Sequence, residues 1–68
     1  MKTKCVYNGR VVTTGQFAQM PRVGDFMKVC GEILKIEAIL FDVGTDYAFA
    51  ILYLRDIMPE TKQKLKYV

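Results

Sequence analysis

The sequence has no histidine and no tryptophan, and only two cysteines and two prolines among its 68 residues. Without histidine, the commonest general base, nucleophile activator and metal ligand are all missing. Cys5 and Cys30 are isolated, so they cannot complete a zinc site and neither has an imidazole partner. A single possible bridge is also not the disulfide framework of a small secreted domain. Both cysteines read as reduced, mostly buried thiols of a cytoplasmic protein. No glycine-rich phosphate loop or dinucleotide fingerprint occurs. No apolar run approaches the ~20 residues of a membrane helix, and the residues after Met1 lead into no signal-peptide core. The chain therefore reads as non-enzymatic, with no cofactor, metal, membrane span or small-molecule substrate.

Half of the chain is apolar (51%) and a quarter is charged (25%), a globular composition within the length of one domain, 1–68. A core this small barely offsets the entropy of ordering the chain. Domains of this size recruit disulfides, a metal or a partner subunit. With the first two missing, a well-closed barrel or self-association is left.

Short strands dominate the pattern. Lys2 to Tyr7 is rich in β-branched and aromatic residues and stops at Asn8-Gly9, a pair suited to a type I′ hairpin turn. Arg10 to Thr14 reads as the returning strand, and Gly15 to Gly24 as a loop holding Phe17, Met20 and Pro21. Phe26 to Cys30 alternates as a strand, and Gly31-Glu32 is expected to turn it back. Ile33 to Val43 carries helix formers at helical spacing (Ile33, Ile36, Leu40), but its period-two alternation favours a strand. Gly44-Thr45-Asp46 forms a turn and Tyr47 to Leu54 another strand. Arg55 to Pro59 reads as a tight corner, 3₁₀ near residues 55–58, and Lys62 to Tyr67 as a half-exposed last strand.

The fold class read from this pattern is all-β, a small barrel of five to six antiparallel strands. The segment Pro21-Arg22-Val23-Gly24-Asp25-Phe26-Met27-Lys28-Val29 resembles the entry strand of small SH3-like barrel proteins, including short bacterial and phage proteins. That resemblance implies an SH3-like barrel and a plausible phage or mobile-element origin, but no particular function. The usual proline-rich peptide site is not expected. The chain has no tryptophan, and its Gly15–Gly24 loop holds Arg22 but no acid.

Two surfaces are candidates for function. Residues 1–24 carry Lys2, Lys4, Arg10 and Arg22 and no acid, whereas all seven acids fall between Asp25 and Glu60. If the first and last strands are neighbours, Lys2, Lys4, Lys62, Lys64 and Lys66 form a basic stripe beside Tyr67. Such a stripe could track a nucleic-acid backbone, or simply keep strand edges soluble. The second surface follows from a uniform hairpin register, pairing Val43 with Tyr47, Phe41 with Phe49, Ile39 with Ile51 and Glu37 with Tyr53. It gathers Ile39, Phe41, Tyr47, Phe49, Ile51 and Tyr53 on one outward face. A patch of that kind marks a contact with a protein partner or a second copy, unless Phe17 and Met20 of the loop plug it. The leading expectation is protein–protein contact or homo-oligomerisation. Nucleic-acid binding is the alternative, and a structural subunit of a larger assembly a third.

Overall fold

The computed structural model describes residues 2–65. Five strands and one short helix follow in order: β1 (Lys2–Tyr7), β2 (Arg10–Gln16), β3 (Phe26–Val29), β4 (Glu32–Val43), β5 (Ala48–Arg55) and α1 (Pro59–Leu65). The strands form one sheet in the order β2-β1-β5-β4-β3, curled into a half-barrel. The fold is all-β, and Ile33 to Val43 is strand throughout. The sheet is not purely antiparallel, however, because β1 runs parallel to β5, with Cys5 beside Leu52 and Tyr7 beside Leu54. The first strand is thus held inside the sheet by the fifth, far along the chain.

Period two decides what is buried. Thr3 and Cys5 of β1, Leu34 and Ile36 of β4, and Ala50, Leu52 and Leu54 of β5 all point to the concave face, joined there by Val29. Tyr7, Met20, Met27 and Ile39 pack against this core. Of Phe17 and Met20, the two side chains expected to act as a plug, it is Met20 that packs against the core. It covers the concave face, the side opposite Phe49, Ile51 and Tyr53.

The turns are set by backbone chemistry. Asn8 and Gly9 both have positive φ (52° and 75°), as a type I′ turn requires. The next hairpin turns one residue earlier than expected. Val29 pairs with Glu32, and Cys30 (φ 50°) and Gly31 (φ 86°) make the corner. Cys5 is buried as anticipated, but Cys30, pushed to the tip of this turn, is exposed.

The Pro21–Asp25 segment forms a turn of its own. Asp25 N–H donates to Arg22 O (3.0 Å), and Arg22 N–H donates to the Asp25 carboxylate (2.9 Å). Gly24 supplies the positive φ (98°) at the third position. The turn then docks on β4: Gly24 N–H donates to Ile36 O and Ile36 N–H donates to Asp25 O, both at 2.9 Å.

The C-terminal region departs from the sequence reading. Residues 56–58 are irregular rather than 3₁₀, and Pro59–Leu65 is an α-helix, not a last strand. Pro59 opens it where its missing N–H is harmless, Glu60 sits in the first turn, and Lys62 and Lys64 in the last. These start and stop signals outweigh the alternation of lysine with Gln63 and Leu65. No helix among the described residues is long and apolar enough to cross a membrane.

Candidate protein-binding edge

β4 is twelve residues long, but β3 covers only its first third. Glu32 to Lys35 pair with β3, and Ile36 pairs with the 24–25 turn. From Glu37 to Val43, among the described residues, no strand lies on that side of β4. This segment is an overhang with β5 on one flank and an open backbone edge on the other.

A bulge at Glu37 orients the overhang. Ile36 pairs with Leu54, yet Ala38 pairs with Tyr53, so Glu37 is an extra residue on β4. Beyond it the register runs Ile39–Leu52, Leu40–Ile51, Phe41–Ala50, Asp42–Phe49 and Val43–Ala48. The uniform pairing expected from sequence is therefore one residue out past Glu37. Because side chains alternate, that slip exchanges faces. Ile39 and Phe41 share the concave face with Leu52 and Ala50. Phe49, Ile51 and Tyr53 share the convex face with Asp42, Leu40 and Ala38. The six residues expected to form one patch are split between two faces, with Tyr47 in the turn.

The exposed apolar surface at this end comprises Leu40 (52% exposed), Phe41 (55%), Val43 (67%) and Tyr47 (50%). Leu40 is absent from the expected patch because the uniform register faces it inward. Val43 stands on the outward face in that register, opposite Tyr47, and is simply not counted among the six. The signal that would have found Leu40 is Glu37, a charge interrupting an otherwise apolar run. Phe49 is half-buried. The Lys4 ammonium lies 4.6 Å from its ring centroid and the Tyr47 ring packs at 5.7 Å. Gly44 makes room for that packing, since a Cβ there would run into the Tyr47 ring. Gly44 N–H donates to Tyr47 O at 2.8 Å and closes the turn.

Among the described residues, the terminal lysines are not on neighbouring strands, the arrangement on which the basic stripe depends. The neighbours of β1 are β2 and β5, and Lys62 and Lys64 stand on α1. Lys62 donates to the Glu32 carboxylate at 2.9 Å, which also raises its pKa, chiefly through that hydrogen bond. Lys66 and Tyr67 lie outside the described residues. At the α1 end of the half-barrel, Tyr7 O–H donates to Asp56 at 2.7 Å. That bond to the carboxylate is the main reason the phenol pKa is raised.

At the other side of the sheet, β2 pairs only with β1 among the described residues, and none of its side chains is buried. Opposite it, across the open side of the half-barrel, stands β3. No backbone hydrogen bond joins the two. The seam between them holds an apolar groove of about 330 Å³ lined by Tyr7, Val12, Val29 and Leu34 among others. A second groove of about 300 Å³ runs past Cys5, Thr13, Phe17 and Met27. Among the described residues no three cysteine or carboxylate side chains are grouped to hold a metal ion. Compared with protein-family models, curated proteins and solved structures, the chain matches none.

Proposed function

We propose that this chain is a non-enzymatic binding module of the SH3-like small-barrel kind, acting by protein–protein contact through the Glu37–Val43 overhang. The observation that carries this reading is the open edge of β4 flanked by exposed Leu40, Phe41 and Val43. A bare strand edge is a template for pairing with another chain. Folded proteins usually blunt such edges with charge, bulges or cover. Glu37 and Asp42 supply charge and a bulge, but three large apolar side chains stay in solvent beside them. Backbone pairing would give affinity, and packing against the side chains of Leu40, Phe41 and Val43 would give selectivity. The SH3-like assignment rests on the Pro21–Val29 segment, whose Gly-Asp turn feeds β3 and fixes where β4 becomes free.

The experiment is the double substitution Leu40→Ser/Phe41→Ser. The variant should keep the wild-type melting temperature and β spectrum, because both side chains are more than half exposed. It should lose self-association and any protein that immobilised wild type retains. The proposal fails if wild type neither associates with itself nor retains anything that the variant releases.

A further inference from the structure

We infer that the partner for the β4 overhang is the β2 edge of a second copy, giving head-to-tail rather than two-fold association. The inference rests on the reading of the overhang as a binding edge and adds the identity of what binds it. Among the described residues, two seven-residue strand edges are uncovered, Arg10–Gln16 and Glu37–Val43, against only the four-residue outer edge of β3, Phe26–Val29. They border opposite sides of the sheet and are not paired with each other within one copy.

The charges select the pairing. The overhang and its turn carry Glu37, Asp42 and Asp46, and no basic residue occurs between Ile36 and Leu54. β2 carries Arg10, and its neighbour β1 carries Lys2 and Lys4, with no acid anywhere before Asp25. Overhang against overhang would bring Glu37 and Asp42 of both copies together, and like charges facing across a strand pair are destabilising. Overhang against β2 sets acid against base, which favours that partner and speeds encounter.

Shape and burial agree with the charges. β2 has no buried side chain although it is a full strand of the sheet, and Val11 and Val12 are exposed on it. On the concave side β2 offers the small residues Thr13 and Gly15, beside the seam groove lined by Cys5, Met27 and Val29. Phe41, exposed on the concave face of the overhang, has the volume that this row lacks. A strand added along β2 would extend the sheet and cover the seam, the same step that would close the barrel.

A contact between two different patches does not close on itself as a two-fold dimer does, so it builds rings or open chains. Wild-type mass measured by sedimentation should rise with protein concentration past that of a dimer, and fall as salt screens the charges. Two variants each block one edge: Leu40→Ser/Phe41→Ser the overhang, Arg10→Glu/Val12→Glu the β2 edge. Each alone should be a folded monomer, with self-association weakened about tenfold or more. An equimolar mixture should form a heterodimer and stop there, because it contains one intact edge of each kind.

A wild-type dimer untouched by Arg10→Glu/Val12→Glu would overturn the inference in favour of overhang–overhang pairing. Wild type that is monomeric at sub-millimolar concentration would also overturn it. The binding-edge reading would then still stand if wild-type protein captures a partner that the overhang variant loses.

Discussion

Ile39 stands opposite Leu52, while three residues earlier Ile36 stands opposite Leu54, so the β4–β5 hairpin changes register once, at Glu37. Before the bulge the hairpin serves the core, with Ile36 and Leu54 among its buried members. After it, successive residues of β4 face the side opposite to that given by an uninterrupted strand. The bulge keeps Ile39 on the core and sends Leu40 outward. It falls where β3 and the Gly24–Asp25 turn cease to cover β4, so the strand changes register as it becomes an edge.

Thr3 provides the first prediction. Its side chain is 1% exposed, and its hydroxyl has no hydrogen-bond partner among the described residues. A buried hydroxyl left unpaired costs about 1–3 kcal/mol in desolvation that nothing returns. Thr3→Val keeps the branched shape and removes the polar atom, so chemical denaturation should show a gain of about 1 kcal/mol. A loss of stability on this substitution would mean that the hydroxyl is satisfied in solution.

Cys30 is the second. It holds φ at 50° in the Cys30-Gly31 turn, a conformation that costs a non-glycine residue about 1 kcal/mol or more. Asparagine tolerates that region, and Asn8-Gly9 already serves the same purpose between β1 and β2. Cys30→Asn should raise the melting temperature by several degrees, as about 1 kcal/mol does in a domain of this size. In the wild type, Cys30 should also react with a thiol reagent at once. Cys5 should react only as the chain unfolds.

Much of this architecture is legible in the residues themselves. Asn8-Gly9 announces its own turn, because few other pairs accept two positive φ values. The alternation of Leu34, Ile36, Leu52 and Leu54 marks the core face directly. What alternation cannot show is a change of phase within a strand, and one extra residue at Glu37 was enough to divide the expected patch between two faces. Lys62 to Tyr67 misled for a related reason. Alternating lysines fit a half-exposed strand, but Pro59 and Glu60 mark a helix start, and capping decides a segment too short for periodicity. The β1–β5 pairing is parallel and distant in sequence, so no local signal carries it. The open edge of β4 follows only from that topology and from where β3 ends.

Cys5 makes stability depend on pH in a defined direction. Burial raises its thiol pKa above the ordinary value, because the thiolate is disfavoured in the core. The folded thiol then keeps its proton at pH values where the unfolded thiol has lost it. Its contribution is fully present below the ordinary thiol range and is lost as pH rises through that range towards the folded value. Denaturant midpoints of wild type should fall across this alkaline window more steeply than those of Cys5→Ala. Parallel curves would show that the thiol does not titrate differently on folding.

Phe41 and Phe49 separate the register observed from the one that uniform pairing would give. In a uniform hairpin the two rings are partners on one face, and truncating either should have the same consequence. In the structure Phe41 lies over Ala50 on the concave side and is 55% exposed, whereas Phe49 is half-buried on the convex side between Lys4 and Tyr47. Phe49→Ser removes a packed ring and its contact with the Lys4 ammonium, and should cost about 2 kcal/mol. In so small a domain that lowers the melting temperature by roughly 10 °C. Phe41→Ser should change stability by no more than about 0.5 kcal/mol, as substitutions of exposed side chains do. It should instead weaken whatever contact the overhang makes. Melting curves and sedimentation on the two single variants give four readings. The structure requires the stability loss in one protein and the association loss in the other. If Phe41→Ser proves the more destabilising, the bulge at Glu37 is misplaced and the two rings share a face after all.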